Sequence, residues 1–328
     1  MKRWNMMGRL ALFLAMTAIL LTGCSGALDP RGEVAKDQYN LIGLGFYIMI
    51  GVLIIVFAIY FYVLVRFRKR KDQTGYPKQV EGNHKLEIVW TVIPFILVTI
   101  LGVFTVAMTF KQDELKPPED AMNVKVIGHQ FWWEFYYEDY DIRTAQDLVL
   151  PVDAWVNATL DSADVIHSFW IPQLAGKMDT NPGLTNKMAF HTGTETKVYK
   201  GKCAELCGAS HALMDFKVVV VSNAEFQAWV EKMKSPPPTS ETTKAGEEVF
   251  ANKCLVCHAI TTDMPSAGPN LAGFASRQTV AGYRENNDEW LEAWLRDPQA
   301  VKPGTSMPQV GLTEQEMADL IQYLRSLK

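Results

Sequence analysis

The sequence has little net charge and few cysteines or histidines. Thirty-two basic side chains stand against 36 acidic ones, and the formal charge of −4 gives no reason to propose nucleic acid as a partner. Only five cysteines and six histidines occur in 328 residues, and four of the cysteines form two closely spaced pairs. We find no internal repeat. The length is too great for one small domain, so several domains are expected.

Charge is also absent from two long apolar runs, Leu41 to Val65 and Ile88 to Phe110. At about 1.5 Å per helical residue, each run exceeds the roughly 30 Å hydrocarbon core of a bilayer. We therefore predict spanning helices over about 41–65 and 88–110. The segment from Arg66 to Lys85 between them is rich in lysine and arginine, which places this loop in the cytoplasm. The remainder of the chain, after about Lys111, is then an exported part.

The N-terminus is built like a secretory signal. A basic start precedes an apolar stretch from Leu10 to Leu21 that is too short for an ordinary spanning helix. It ends in Leu21-Thr22-Gly23-Cys24, which resembles the bacterial lipobox. We predict a lipoprotein-type signal peptide over 1–23 and a lipid on Cys24. The alternative is an uncleaved signal anchor with an incidental cysteine.

The exported part divides into a mostly β and a mostly α region. Short β-like runs separated by turn signals extend from Met122 to about Val221, which suggests a sandwich or barrel. Ala224 to Met233 is predicted to be a closing helix, and a proline-rich linker follows it. Three later segments have helical periodicity, the last from Thr313 to Leu327. The predicted domains are a membrane anchor over 24–115, a β domain over 120–232, a linker over 233–242 and an α domain over 243–328.

Cys254-Leu255-Val256-Cys257-His258 is the attachment signature of a c-type heme. Its two thiols add to the heme vinyl groups, and His258 is placed to bind iron from one face. Met307, in a loop between Gly304 and Pro308, is the candidate for the other face. From about Thr243 to Lys328 the segment resembles small class I cytochromes c. The alternatives are a disulfide or zinc pair at the cysteines and a core methionine at 307.

A second group of soft ligands occurs between Cys203 and Met214, with one histidine upstream. These ligand types favour copper over calcium, magnesium or manganese, and two cysteines on one loop can bridge a pair of coppers while two imidazoles terminate it. The alternative disulfide would leave the histidines and the methionine as coincidences. The group consists of His167, Cys203, Cys207, His211 and Met214.

With these residues in place, the sequence resembles the second subunit of cytochrome c oxidase, which carries a dinuclear CuA centre in a cupredoxin domain. The resemblance implies that Cys203 and Cys207 bridge two copper ions and that His167 and His211 each bind one. Met214 and the backbone oxygen of Glu205 would be weak ligands. The Glu205 side chain would also bind magnesium at the boundary with subunit I.

The resemblance extends to the membrane segment and to the aromatic stretch. Glu87, at the start of Glu87-Ile88-Val89-Trp90, is implied to lie at the entrance of a proton pathway; the alternative is an acid stabilised by the helix dipole. Phe131 replaces the tryptophan with which the family's stretch begins, which puts the usual docking of soluble cytochrome c in doubt. Phe131 and Trp133 are electron-path candidates, although an aromatic stripe in a β domain is usually core. No metal role is predicted for His84, His129 or His191.

The expected fold is a two-helix transmembrane hairpin, an all-β Greek-key cupredoxin domain and an all-α cytochrome c domain. The resemblance implies an electron-input subunit of a bacterial plasma-membrane oxygen reductase, with its soluble domains outside. Its partners would be subunit I, further membrane subunits, and external cytochrome c or quinol–cytochrome c reductase as donor. The alternatives are a CuA subunit of a nitric oxide reductase and a stand-alone membrane-anchored electron carrier. A quinol oxidase subunit is disfavoured, because it would not need these copper ligands.

Overall fold

The computed structural model describes residues 8, 26–69, 75–76, 79, 81–113, 115–237 and 240–328. Except for residue 8, the predicted signal peptide lies outside the described residues, and so does Cys24. Part of the basic loop, including Arg70 and Lys71, and residues 238–239 of the predicted linker also lie outside them.

Two long helices, α1 (Glu33–Arg66) and α2 (His84–Asp113), form the N-terminal part. Both are long and apolar enough to cross a membrane, and their most apolar stretches are not buried within the protein. Each helix is longer than the apolar run that predicted it, because polar residues continue it beyond the run. Two of these polar residues form a salt bridge between the helices, with Lys111 Nζ 2.5 Å from Asp37 Oδ2.

The N-terminal end of α1 packs against the soluble part. The backbone N–H groups of Arg31 and Gly32 both donate to the carbonyl oxygen of Gln173, at 2.7 and 3.0 Å. Ala35, in the first turn of the helix, is only 2% exposed. The helix is therefore attached to the soluble domain by backbone hydrogen bonds and by buried contact.

Ten strands follow the helices and form two five-stranded sheets. The strands are β1 (Met122–His129), β2 (Trp132–Tyr137), β3 (Ile142–Ala145), β4 (Asp147–Pro151), β5 (Trp155–Ser162), β6 (His167–Trp170), β7 (Lys177–Thr180), β8 (Asn186–His191), β9 (Lys197–Cys203) and β10 (Asp215–Val221). Their spatial orders are β3-β2-β1-β5-β8 and β4-β10-β9-β6-β7. The pairs β1–β5 and β4–β10 are parallel, and the other pairs are antiparallel.

The two sheets enclose one apolar core. Side chains alternate between buried and partly exposed along β1 and β2, as expected for strands with one face against a core. Phe135, Phe169 and Phe216 meet at the centre, and the last two rings stack with centroids 4.8 Å apart. The predicted β sandwich is thus confirmed, and it supplies a rigid support for the loops at its ends.

The chain then becomes helical. The predicted closing helix is α3 (Asn223–Lys234), which begins with a capping box between Ser222 and Glu225. The later elements are α4 (Lys244–Lys253), β11 (Thr279–Val280), β12 (Arg284–Glu285), α5 (Asp288–Arg296), α6 (Pro298–Val301) and α7 (Glu314–Ser326). A second core forms between α4, α5 and α7, with Phe250, Leu291 and Leu320 buried. The mostly α region predicted from periodicity is therefore present.

Candidate copper and heme sites

The predicted copper ligands come together at one end of the second sheet. Strand β6 begins at His167 and pairs with β9 so that Phe169 lies opposite Cys203, the last residue of β9. Strand β10 returns beside β9 with Asp215 opposite Lys202, which brings Met214 back to the same end. The loop over 204–214 therefore projects from a hairpin of two paired strands, next to the first residue of a third.

The donor atoms in this group are close to one another. The Cys203 and Cys207 Sγ atoms are 3.8 Å apart, and all four described cysteines are free. Cys203 Sγ lies 3.9 Å from His167 Nδ1, and Cys207 Sγ lies 3.7 Å from both His211 Nδ1 and Met214 Sδ. Two thiols, two imidazoles and a thioether are soft donors, so the chemistry of the group fits copper.

The carbonyl oxygen of Glu205 also faces the group, 3.2 Å from Cys203 Sγ. The side chain of Glu205 is exposed, as is that of neighbouring Leu206. The backbone of residue 205 is therefore available inside the site while its carboxylate is available at the protein surface. This arrangement is compatible with both of the roles expected for Glu205.

A carboxylate that the sequence did not reveal orients His167. Asp164 Oδ1 lies 2.8 Å from His167 Nε2, and Nδ1 of the same ring faces the thiols. Asp164 itself accepts backbone N–H bonds from Gln130 and Val165, each at 2.6 Å. Burial opposes a charge on His167, but hydrogen bonds with Cys203 and Asp164 outweigh it and raise the pKa of the imidazole. Such a carboxylate–histidine pair fixes the tautomer and orientation of a metal ligand.

The pKa values of the two thiols are shifted in opposite directions. The hydrogen bond with Cys207 lowers the pKa of Cys203 well below its usual value, with a further contribution from His167. The same hydrogen bond, together with burial, raises the pKa of Cys207. The short distance between the two sulfur atoms thus favours ionisation of one thiol of the pair, independently of any metal ion.

Three of the predicted heme-binding residues, Cys254, Cys257 and His258, lie near the start of the α domain. Cys254 follows the last residue of α4, and the backbone N–H groups of Cys257 and His258 both donate to its carbonyl oxygen at 3.0 Å. His258 Nδ1 lies 2.8 Å from the carbonyl oxygen of Pro269, so Nε2 is left for a ligand. Gly268 packs so closely that a Cβ there would lie 2.8 Å from the His258 ring. Burial lowers the pKa of His258, which favours the neutral, iron-binding imidazole.

A cavity of about 320 Å³ lies over these residues. Cys254, Cys257, His258 and Met307 all line it, so the structure brings together the four predicted heme-binding side chains. The wall is mostly apolar, with two buried cations.

The two cations on this wall are Arg277 and Lys302. Arg277 donates to the carbonyl oxygens of Asn270 and Ala272, and Lys302 donates to those of Phe131 and Ala281. Burial lowers the pKa of Arg277 to about 10 and that of Lys302 to about 7. Both cations are thus already bonded to backbone carbonyl oxygens. An apolar cavity with two thiols, an imidazole and a thioether on its wall fits a heme, whose planar ring is apolar.

The β domain closes one side of this cavity. Gln130, Phe131 and Trp132 line it. Trp133, by contrast, is completely buried within the β core and packs edge-on against His167, with ring centroids 5.9 Å apart. The structure therefore places Phe131 and Trp132 beside the heme cavity and Trp133 beside the copper-type group. Sequence reasoning did not single out Trp132, although its position next to Phe131 could have suggested it.

The other residues considered in the sequence lie elsewhere. Glu87 is in the first turn of α2, with its carboxylate 3.5 Å from His84 Nδ1. His129 and His191 lie near carboxylates, 3.1 Å from Glu134 and 3.4 Å from Asp153 respectively. Among the residues that the structure describes, His167, Cys203 and Cys207 form a cluster whose possible metal-binding atoms all lie within 4.8 Å of one another.

Fold and site together define a class of protein. Two apolar helices precede a β-rich, cupredoxin-like domain with a Cys/His/Met group, and a helical domain with a heme-type cavity follows. This combination is typical of membrane-anchored proteins that carry two domains for metal cofactors.

Comparisons with known proteins agree with this class. The chain matches the transmembrane domain of cytochrome c oxidase subunit II over 32–108, its periplasmic domain over 141–222, and cytochrome c over 243–328. It is 46% identical to cytochrome c oxidase subunit 2 of Alkalihalophilus pseudofirmus, covering 100% of this chain and 99% of the relative. It is 44% identical to that of Bacillus subtilis, covering 100% and 98%.

A similar solved structure is the crystal structure of the periplasmic domain of subunit II of cytochrome oxidase from Bradyrhizobium japonicum. It is 32% identical, with a TM-score of 0.33, over 35% of this chain and 95% of that chain. The sequence matches are sufficient to assign the family. The chain belongs to the cytochrome c oxidase subunit II family, in a form that carries a cytochrome c domain.

Proposed function

We propose that the chain is the electron-input subunit of an oxygen reductase. It takes electrons from an external donor through a covalent heme c, passes them to a dinuclear CuA centre, and delivers them to the heme of subunit I. Oxygen would be reduced to water there, with proton pumping. The observation that carries the proposal is that the two donor groups lie side by side in one chain. Phe131 lines the heme cavity and also packs at Gly208 against the loop over 204–214, which we call the copper-type loop.

Each proposed cofactor has a defined set of residues. Cys254 and Cys257 would attach the heme, and His258 and Met307 would bind its iron. When bound, the heme and the copper pair would each accept and release one electron. The copper ligands would be His167, Cys203, Cys207, His211, Met214 and the Glu205 carbonyl oxygen. The sandwich holds these side chains in place, and a rigid scaffold favours electron transfer because little must rearrange.

The finer features are proposals as well. The exposed Glu205 carboxylate would bind a magnesium ion shared with subunit I, and Glu87 would be the proton-pathway residue. The domain limits are those predicted from the sequence, with a lipid on Cys24. Seven basic residues in the loop between the spanning helices and at the adjoining helix ends support a cytoplasmic loop and outward-facing soluble domains in a bacterial plasma membrane. They are Arg66, Arg68, Lys69, Arg70, Lys71, Lys78 and Lys85.

Spectra of the purified full-length chain, matured with heme and loaded with copper, test the proposal. We expect a c-type heme band in the visible spectrum together with an electron paramagnetic resonance signal from one unpaired electron shared over two coppers. Heme without the paired-copper signal, with Cys203 and Cys207 found as a disulfide under copper-replete conditions, would refute it. The protein would then be a membrane-bound cytochrome.

Replacing the carboxylate that orients His167 should weaken copper binding. In Asp164→Ala the imidazole loses the hydrogen bond at Nε2, and loss of such a partner typically lowers metal affinity about 10- to 100-fold. Copper retention during titration with a chelator measures the effect. Asp161→Ala is the control, because Asp161 pairs with Lys125 at 3.3 Å on the neighbouring strand. Identical chelator midpoints for Asp164→Ala and the unmodified protein would contradict the prediction.

A further inference from the structure

The loop that carries the proposed iron ligand Met307 touches the loop that carries the proposed copper ligand His211. Ser210 is 1% exposed, and its Oγ donates to the carbonyl oxygen of Pro303 at 2.6 Å. Ser210 directly precedes His211, and Pro303 lies four residues before Met307. One hydrogen bond therefore connects the two loops close to both proposed ligands.

Lys302 joins the two domains beside this contact. It is 2% exposed, and its Nζ donates to Phe131 O in the β domain and to Ala281 O in the α domain, each at 2.6 Å. Burying an ammonium group costs free energy unless its hydrogen bonds are satisfied. If the domains separated, Lys302 would lose the Phe131 carbonyl. The hydrogen bond to Phe131 O thus forms only in the docked arrangement, and it specifies how the two domains fit together.

The surfaces around these two bonds fit closely. Gly304 has φ +78°, and a Cβ there would lie 3.2 Å from Ala209 Cβ and 3.5 Å from the Phe131 ring. Glycine accepts this left-handed conformation and leaves the space that the copper-type loop fills. Within the β domain, Gln130 Nε2 donates to the carbonyl oxygen of Cys207 at 2.5 Å, which holds the copper-type loop against the segment that carries Phe131.

The contact also continues away from the two loops. The Gln278 N–H donates to the Asp147 carboxylate at 2.7 Å, and the Arg143 N–H donates to the Thr262 carbonyl oxygen at 2.9 Å. Asp147 and Arg143 belong to the β domain, whereas Gln278 and Thr262 belong to the α domain. Hydrogen bonds at several separate points resist both rotation and sliding of one domain on the other.

We propose that Lys302 and Ser210 lock the cytochrome domain onto the copper-type loop, so that electrons cross between the two centres in one fixed docked arrangement. This inference rests on the proposed function for the identity of the two centres. The transfer oxidises the iron by one electron and reduces the copper pair by one electron. No covalent bond forms or breaks, and an external one-electron donor reduces the iron again. Lys302 and Ser210 are positioning residues, because they act by holding the two ligand loops together.

Cutting the connection between the domains tests the lock directly. A protease site is introduced into the linker over 236–240 of the complete oxidase, and the cleaved sample is passed through gel filtration. We expect the cytochrome fragment to stay bound. With Lys302→Met we expect the fragment to bind about 10-fold or more weakly, since the buried hydrogen bond to Phe131 O is lost and that carbonyl is left without its partner. Lys244→Met, at an exposed lysine in the same domain, is the control and should leave retention unchanged.

The uncut oxidase supplies a second measurement. After a light pulse that reduces the heme by one electron, the rate of copper reduction should fall about 10-fold or more in Lys302→Met. A decrease is also expected in Ser210→Ala, which tests the lock without altering the buried lysine. The heme band and paired-copper signal should be unchanged in both variants. Dissociation of the unmodified fragment on cleavage, or unmodified transfer rates in both variants, would overturn the proposal. Absence of either signal from the unmodified protein would instead refute the proposed function.

Discussion

Cys203→Ser is expected to eliminate the paired-copper signal and to stop electron delivery to subunit I, while the c-type heme band persists. Cys203 Sγ is central to the group, lying 3.2 Å from the Glu205 carbonyl oxygen, 3.8 Å from Cys207 Sγ and 3.9 Å from His167 Nδ1. A serine hydroxyl stays protonated at neutral pH and is a hard donor, so it cannot replace a bridging thiolate. Copper content and electron paramagnetic resonance spectra of the purified variant measure the loss.

The position of Cys203 makes a purely structural explanation testable. Serine is nearly the same size as cysteine, and position 203 is at the end of a paired strand, so the sandwich should still fold. Circular dichroism of the variant should therefore match that of the unmodified protein. Two bound coppers with an unchanged spectrum in Cys203→Ser would show that the thiol does not bridge metal.

Cys254→Ser combined with Cys257→Ser is expected to remove covalently bound heme altogether. Both thiols line the cavity beside His258, and thioether formation needs a sulfur at each position. Heme staining of the chain on a denaturing gel should disappear, and oxidation of the external donor should fall to background. The α domain should also unfold at a lower temperature, because a ligand that binds only the folded state stabilises it.

Each cysteine pair is the control for the other. The double variant at 254 and 257 should keep its paired-copper signal, and Cys203→Ser should keep its heme stain. Heme that remains attached after both cysteines of the α domain are replaced would contradict the assigned attachment. Simultaneous loss of both signals in either variant would indicate general misfolding, and the circular dichroism spectrum would reveal it.

Local patterns were sufficient to predict most of the fold. The spanning helices were visible as long uncharged apolar runs, and the short strands, the closing helix and the helical domain were visible as periodicity, because each depends on residues close together in the sequence. The helix ends were not visible in the same way. Polar residues such as Asp37, Lys85 and Lys111 fall outside the apolar runs, yet they continue the helices by backbone hydrogen bonding and side-chain pairing. Hydropathy alone therefore gives helices that are too short.

Most of the predicted donor residues lie within one loop or one motif, where their spacing indicates a shared site, whereas His167 and Met307 lie outside those segments. The residues around the donors could not be predicted in this way. Lys302, just after a short helix, has the features of a solvated lysine, and only the packing of one domain on another buries it. Which tryptophan lines the heme cavity and which enters the β core depends on strand register. His129 pairs with Trp132 and Gly128 with Trp133, and neighbouring side chains of a strand point to opposite faces of the sheet. Long-range packing of this kind leaves no signal in a single sequence.

Helix α1 also sets the height of the soluble domains above the lipid. Its 34 residues span about 51 Å, whereas the hydrocarbon core is about 30 Å thick. The eight residues from Glu33 to Asn40, which precede the apolar run, therefore extend about 12 Å of continuous helix beyond the core. The hydrogen bonds of Arg31 and Gly32 to Gln173 join this end to the sandwich. Such a strut has no hinge that could absorb a change in bilayer thickness. A thicker or thinner membrane must tilt the strut, and the sandwich attached to its end must move with it.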